Sequence, residues 1–250
     1  MNSIRKNNHA VDPNRFLLSF LLELRIRLFY CVGAFLGIFC LLLPFSTSLY
    51  QHLAQPLLNQ LPVESRFIST TLTAPLFIPL KFTLSFAIFI NMPFIFYQFW
   101  LFVVPALYLK EKRLLWLVLV LSCSLFYSGV FFAYQFIIPF LISFFIKTAP
   151  DYVHIFPDMS HYLDLALQLI LSFGLIFEVP LVIIVVVLSG ALTLKTLSSW
   201  RRYFIILSFF ISMLLTPPDV VSQILLAIPL CLLFEIALLL CRFIPKNIHV

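Results

Sequence analysis

The segment Leu114–Ile146, with the sequence LLWLVLVLSCSLFYSGVFFAYQFIIPFLISFFI, contains no charged residue over 33 consecutive positions. A helix that crosses a lipid bilayer needs about 20 mostly apolar residues, whereas the strands of a membrane β-barrel alternate apolar and polar residues over segments of about 10. This run is continuous rather than alternating, so it predicts a transmembrane α-helix. We place that helix at residues 114–136 or slightly beyond.

The composition of the whole chain agrees with this interpretation. Its 250 residues are 62% hydrophobic and only 10% charged, and the mean hydropathy is +1.09. A soluble globular protein carries about 25% charged residues, and a disordered chain has few large apolar side chains. Soluble enzymes and disordered proteins are therefore excluded, and an all-α integral membrane protein with several spans is predicted.

Six transmembrane helices are predicted, within one polytopic membrane domain that covers residues 1–250. The fifth and sixth are short, because the last apolar stretch is interrupted by the turn sequence Thr216–Asp219, which contains two prolines. A tail (1–27) precedes the first helix, and an outer cap segment (46–75) follows it. The predicted helices occupy residues 28–45, 76–99, 114–136, 165–188, 203–217 and 220–240.

The basic residues indicate which side of the membrane each loop occupies. Thirteen of the 16 Lys and Arg residues lie before the first predicted helix, between the second and third, between the fourth and fifth, or after the sixth. Arg66 and Lys147 share the other side with several acidic residues, and Lys81 lies near a membrane edge, where its side is ambiguous. Because basic loops remain in the cytoplasm, we expect both termini to be cytoplasmic.

Two outer segments and the fifth helix have further expected features. Ser48–Leu61 mixes leucines with polar residues in a pattern that suits a helix on the outer surface or a cap on the bundle. Lys147–His161 is predicted to be an ordered outer loop. The segment Tyr203–Pro218 has 16 residues and reaches only about 24 Å as a helix. Either the bilayer thins there, or this helix is a tilted edge of the bundle that partners shield.

Two glutamates lie inside predicted helices. Glu178 is near the middle of the fourth, where an acidic residue costs roughly 2.5 to 3.5 kcal/mol to insert. We interpret it as functional, with a structural hydrogen bond to a neighbouring helix as the alternative. Pro180 should kink the helix nearby. Glu235 lies closer to an end of the sixth helix, and a structural role is favoured for it.

Only three acidic residues are expected on the cytoplasmic side, and two of them directly precede predicted helices. Glu23 lies just before the first and Glu111 just before the third. Each has a structural explanation, since Glu23 can pair with Arg27 four residues later and a carboxylate such as Glu111 favours a helix start. The residues alone leave open whether these carboxylates also bind a ligand.

No catalytic or metal-binding motif is present in the sequence. There is no GxSxG, no HExxH and no Gly-rich phosphate loop, and the chain has only 5 glycines. The 5 cysteines lie in or beside apolar runs without CxxC spacing, where a thiol behaves mainly as a small hydrophobe. We therefore expect no enzyme activity, no cofactor and no metal. A proton-coupled small-solute carrier that uses Glu178 is the alternative function that these residues leave open.

Four motifs, in this order along the chain, resemble the TatC family, the multispanning subunit of the twin-arginine protein translocase. They are LELRIRL at residues 22–28, YQFWLFVVPALY at 97–108, FGLIFEVP at 173–180 and MLLTPPDVVSQ at 213–223. The resemblance extends from about Leu21 to Arg242. Three positions differ from the usual family pattern, since Phe20 and Lys110 stand where histidines are common and Lys112 stands where an arginine is common.

The resemblance implies a cup-shaped bundle of six helices in the bacterial inner membrane. Such a protein binds the twin-arginine signal peptides of folded proteins, assembles with the single-span proteins TatA and TatB, associates with itself, and depends on a proton gradient. Membrane lipids are further expected partners, whereas nucleic acid is not. The residues implied are Glu23, Arg25, Phe102, Glu111 and Lys112 for the signal peptide, Glu178 in the membrane, Met213, Thr216 and Gln223 for the partners, and Pro56 in the outer cap.

One physical argument supports the implied signal-peptide site. A guanidinium is a planar fork that pairs with a carboxylate through two hydrogen bonds, so two arginines require two carboxylates, and lysines are not equivalent. Glu23 and Glu111 are the pair that the cytoplasmic side offers.

Overall fold

The computed structural model describes residues 13–46, 73–106, 112–148, 158–215 and 220–243. The predicted surface segment Ser48–Leu61, with Pro56, lies outside the described residues, as do Glu111 and Thr216. Most of the predicted loop Lys147–His161 also lies outside them, although its last residues begin a helix at Met159.

Within these residues the chain is helical almost throughout. A 3₁₀ turn follows the first helix at Leu43–Phe45, and a π-helical turn at Ala133–Ile137 joins the third helix to the fourth. The nine described α-helices are α1 (Pro13–Leu42), α2 (Ala74–Ala106), α3 (Lys112–Phe132), α4 (Ile138–Thr148), α5 (Met159–Ile176), α6 (Val179–Leu188), α7 (Leu194–Ser199), α8 (Arg201–Leu215) and α9 (Val220–Phe243).

Five helical stretches in the described part of the chain are long and apolar enough to cross a membrane. The helix α8 has 15 residues, about 22 Å, and is the short fifth helix that the sequence predicts. The helix α9 has 24 residues, about 36 Å, so only the first of the last two helices is short. The five long stretches are Leu21–Phe45, Leu76–Val103, Leu115–Thr148, Ser160–Leu188 and Gln223–Phe243.

The centre of the bundle is formed by α2, α3 and α5, which pack against one another. Phe126 on α3 and Phe173 on α5 are fully buried there. Gly129 and Gly174 lie at the same crossing, and their missing side chains let the two backbones approach closely. The first helix packs on α2, while α8 and α6 pack on α9. A second, smaller apolar cluster lies between α6, α7 and α9.

The fourth predicted transmembrane helix is broken in its middle. Helix α5 ends at Ile176 and α6 begins at Val179, so Phe177 and Glu178 form a turn between them. Pro180 lies in the first turn of α6, where its lack of an N–H donor costs nothing. The kink that Pro180 predicts is confirmed, and it places Glu178 at the break.

Candidate functional site

The first candidate site surrounds Glu23 on α1. The guanidinium of Arg27 donates from Nε at 3.0 Å and from Nη2 at 2.5 Å to one Glu23 oxygen, Oε1. The other oxygen, Oε2, has no partner within the described residues. Glu23 is 51% exposed, whereas Arg27 is only 18% exposed. The carboxylate is therefore held in one orientation and remains accessible.

Arg27 also connects α1 to α2. Its Nη1 donates to Oε1 of Gln98 at 3.1 Å, across 71 residues of sequence. Arg25 extends in a different direction, with its guanidinium carbon 5.6 Å from the centroid of the Phe29 ring. We call Glu23, Arg25, Arg27 and Gln98 the α1–α2 patch. The sequence predicts the pairing of Glu23 with Arg27. It gives no sign that Gln98 takes part, because Gln98 is only one of several polar residues in a mainly apolar helix.

The other residues implied for signal-peptide binding lie at the junction of α2 and α3. Phe102 is partly buried near the end of α2. Lys112 is the first residue of α3, but its side chain is not among the described atoms. Glu111 lies outside the described residues, so its position relative to Glu23 stays a prediction.

The second candidate site is Glu178, which is 7% exposed. Its partner is the hydroxyl of Ser122 on α3, and Ser122 accepts a hydrogen bond from Trp100 Nε1 on α2 at 2.6 Å. One carboxyl oxygen, Oε1, has no partner among the described residues. Sequence reasoning identified Glu178 from the cost of its charge but missed Ser122 and Trp100, which are unremarkable in apolar helices.

The third candidate site is the outer face of α8 and its junction with α9. Met213 is 61% exposed on α8. Gln223 on α9 donates from Nε2 to the backbone carbonyl of Phe209 at 3.1 Å, and Gln168 on α5 donates to the carbonyl of Leu214 at 3.3 Å. Thus two amide side chains hold α8 from two neighbouring helices. Sequence reasoning missed Gln168.

Glu235 has a structural partner, as the sequence predicts. Its Oε2 lies 2.9 Å from Nη2 of Arg201, the first residue of α8, and this ion pair joins α8 to α9. A second ion pair, between Lys81 on α2 and Asp164 on α5, joins two helices of the central bundle. In the described part of the chain, no three His, Cys, Asp or Glu residues cluster as metal ligands would.

Comparison with known proteins identifies the family. The family model described as Sec-independent protein translocase protein (TatC) matches residues 19–229. The TatC protein of Haemophilus influenzae is 49% identical over 238 residues, which are 95% of this chain and 93% of that protein. The TatC protein of Escherichia coli K12 is 40% identical over 234 residues, covering 94% of this chain and 91% of that protein.

Two crystal structures of a twin-arginine translocase receptor, TatC, share this fold. They have TM-scores of 0.81 and 0.83 and are 36% and 37% identical in sequence. They cover 89% and 88% of this chain, and this chain covers 98% of each of them. These matches confirm the predicted all-α membrane fold and agree with a six-helix cup. These relatives are translocase proteins rather than small-solute carriers, so they favour the translocase hypothesis. The chain therefore belongs to the TatC family, the core membrane subunits of the twin-arginine protein translocase.

Proposed function

We propose that this chain binds the twin-arginine signal peptides of folded precursor proteins at the cytoplasmic surface of the membrane. The geometry of Glu23 supports the proposal most directly. Arg27 occupies one carboxylate oxygen and fixes the side chain, while the second oxygen has no partner among the described residues. A pre-oriented, half-exposed carboxylate is the group that the guanidinium fork of an incoming arginine pairs with. The solved relatives are named receptors, which agrees with this role.

Glu111 is proposed as the second carboxylate of the site. Helix α2 contributes Gln98 to the α1–α2 patch and ends at Ala106, while α3 begins at Lys112. The short connection between them, which contains Glu111, therefore starts from the end of a helix that touches Arg27. Arg25, Phe102 and Lys112 are proposed to complete the binding surface. Phe102 would contact apolar residues of the peptide, and the two basic residues would set how closely its arginines approach.

The test compares two peptides and a set of single variants. The full-length protein is purified in detergent, and its affinity is measured for a labelled signal peptide with an Arg-Arg pair and for the same peptide with Lys-Lys. We expect tighter binding of Arg-Arg. Glu23→Gln and Glu111→Gln should each weaken that binding by about 10-fold to 150-fold, the effect of one charge-assisted hydrogen bond.

Glu235→Gln is the matched control, because Glu235 is also a partly exposed glutamate paired with an arginine of the same chain. It should leave peptide affinity unchanged. Equal affinity for the two peptides, or an equal loss in all three variants, would contradict the proposed site. A loss in Glu23→Gln alone would contradict the role of Glu111 but keep that of Glu23.

We further propose that α8 and the start of α9 bind the single-span proteins TatA and TatB. Met213 is exposed on α8, and Gln223 holds that helix in place, while Thr216 lies between them in sequence. A helix of 15 residues is shorter than the hydrocarbon core, so an adjacent single-span helix would cover apolar side chains that the bilayer covers poorly. Self-association into a multimeric receptor and contacts with membrane lipids are proposed as well.

Cysteine cross-linking in membranes tests this surface. In a variant with the five native cysteines replaced, Met213→Cys should form cross-links to a cysteine placed in the TatA or TatB helix. Val120→Cys on α3 is the control, because Val120 is 62% exposed and so as accessible as Met213. Equal cross-linking at the two positions would mean that contact is random, and the proposed surface would be wrong.

The orientation that we propose has both termini in the cytoplasm of a bacterial inner membrane. The ion pair between Lys81 and Asp164 supports this orientation, because it neutralises Lys81 with an acidic residue of the side predicted to be external. A cysteine introduced at Arg242 in the same cysteine-free variant should react with an impermeant maleimide only after the membrane is opened. A cysteine at His161 should react in intact cells. The opposite labelling pattern would contradict the orientation.

A further inference from the structure

Three hydrogen-bonded side chains connect the three helices at the centre of the bundle. Trp100 on α2 donates to Ser122 on α3 at 2.6 Å, and Ser122 is a hydrogen-bond partner of Glu178 at the break between α5 and α6. Trp100 is 2% exposed and Ser122 is fully buried. The three groups are therefore removed from water, which would otherwise have offered each of them another hydrogen-bond partner.

The chemistry of these groups fixes the direction of both hydrogen bonds. An indole nitrogen can only donate, so Ser122 Oγ accepts from Trp100 and its own proton is left for Glu178. Glu178 Oε1 has no hydrogen-bond partner among the described residues. Accepting one hydrogen bond strengthens the bond that the same hydroxyl donates. Trp100 therefore acts on Glu178 through Ser122, without touching it.

The same turn of α2 also contacts the α1–α2 patch. Gln98 accepts from Arg27, and Trp100 lies only two residues further along. Two residues of an α-helix are about 200° apart around its axis, so Gln98 faces α1 while Trp100 faces α3. A movement of this turn changes the contacts on both sides.

We propose that Trp100 and Ser122 are positioning residues that hold the carboxyl of Glu178, and that the turn Gln98–Trp100 transmits signal-peptide binding at the α1–α2 patch to that carboxyl. The second part rests on the proposed function. Glu178 Oε1, which has no partner among the described residues, is then the acceptor that remains at the helix break. Signal-peptide binding would then change the orientation of a buried polar group, rather than the fold of the bundle.

Infrared spectroscopy of the full-length protein in lipid nanodiscs tests the positioning. The carboxyl band of Glu178 is identified as the band lost in Glu178→Gln. Ser122→Ala should shift this band, and Trp100→Phe, which keeps a ring but removes the N–H donor, should shift it in the same direction by less. Ser122→Thr keeps the hydroxyl and should restore the native band. Ser124→Ala is the matched control, because Ser124 is exposed on the same helix. Among the described residues its hydroxyl donates to the backbone carbonyl of Leu121, in the preceding turn of α3.

Adding the Arg-Arg peptide tests the transmission. The peptide should shift the Glu178 band in the native protein and in Ser124→Ala. In Trp100→Phe the shift should fall several-fold while the peptide affinity stays within about twofold, and the Lys-Lys peptide at the same concentration should produce little shift. If Trp100→Phe only weakened the packing of α2, the variant would have a lower melting temperature, but peptide binding would still shift the Glu178 band.

Each outcome decides one part of the proposal. Identical resting bands in Ser122→Ala and the native protein would overturn the positioning role. An undiminished peptide-induced shift in Trp100→Phe would overturn the transmission. A native protein that does not bind the peptide would contradict the proposed function and, with it, the transmission, while the resting bands would still decide the positioning role.

Discussion

Gly129 packs directly against the backbone of Phe173, so closely that a Cβ atom built on it would lie 2.5 Å from the Phe173 carbonyl oxygen. At the next residue of α5, a Cβ on Gly174 would lie 2.6 Å from the ring of Phe126. The two helices thus approach each other through a pair of glycines, each facing a phenylalanine of the other helix. In a membrane, where lipid is as apolar as the protein, such close packing is what holds helices together.

Alanine at Gly129 should therefore destabilise the bundle. Its methyl group meets backbone that cannot rotate away, and overpacking of this kind costs about 1 to 3 kcal/mol. Gly174→Ala meets a ring instead and should cost less. The apparent melting temperature in detergent measures both effects. Gly37→Ala on α1 is the control, because apart from its own helix backbone no atom of the described residues lies within 4 Å of its Cβ position, and it should not lower the melting temperature. Equal effects at all three glycines would refute the packing explanation.

The ion pair between Arg201 and Glu235 should contribute little to stability. Both side chains are more than 40% exposed, and exposed ion pairs are worth about 0.2 to 1 kcal/mol. We expect Arg201→Gln, Glu235→Gln and the double variant to lie within about 1 kcal/mol of the native protein in denaturant unfolding. A double-mutant cycle isolates the coupling between the two residues. A coupling energy of several kcal/mol would show that the pair is shielded, for example by a bound partner.

The sequence predicted the helices far better than their ends. Charge-free runs reveal where a helix meets lipid, and the five long stretches follow from them. The backbone hydrogen bonds of a helix continue past the membrane, however, so α1 begins at Pro13 although its predicted span begins at Leu28. The third stretch likewise continues through a π-helical turn to Thr148, where prediction placed its end near Phe136.

The candidate sites divide in the same way. Glu178 could be predicted because a central carboxyl is costly in a membrane, and Pro180 predicted the break beside it. Ser122 and Trp100 could not, because a buried serine or tryptophan costs little by itself and their bond joins positions 22 residues apart. Gln98 and Arg27 are separated by 71 residues, and only the packing of α1 on α2 brings them together. Composition and spacing contain no information on such contacts.

Arg27 should orient Glu23 rather than compete with the signal peptide for it. Both hydrogen bonds that Arg27 donates to Glu23 go to Oε1, which leaves Oε2 for an incoming guanidinium. Arg27→Lys keeps the charge but replaces the planar fork with a single ammonium, so Glu23 should lose its fixed orientation. We expect Arg-Arg peptide affinity to fall by roughly 3-fold to 10-fold, about the value of one neutral hydrogen bond.

Gln98→Leu is the companion variant, because it leaves Arg27 intact and removes only its acceptor on α2. It should give a smaller loss in the same direction. Tighter peptide binding in Arg27→Lys would instead show that Arg27 occupies the site and that the peptide must displace it.

The amides of Gln168 and Gln223 should hold the end of α8 in the position that partner proteins contact. Leu214 lies in the last turn of α8, where a backbone carbonyl receives no hydrogen bond from its own helix. Gln168 supplies the donor that this carbonyl lacks. Gln223 on α9 donates a hydrogen bond to the carbonyl of Phe209, which lies further from the end of α8. Each bond is worth about 0.5 to 1.5 kcal/mol, so losing one should lower the population of the correct α8 position by roughly 2-fold to 10-fold.

The two variants separate positioning from direct contact. Gln168→Leu removes a donor that lies on α5 rather than on α8 or α9, and should reduce the cross-linking of Met213→Cys to a single-span partner by that factor. Gln223→Leu should reduce it at least as much. If Gln168→Leu leaves cross-linking unchanged while Gln223→Leu abolishes it, Gln223 touches the partner itself and does not act by holding α8. Cross-linking from a second α8 position, Phe210→Cys, then shows whether the helix as a whole has moved, because a displaced α8 changes both positions and a lost contact changes one.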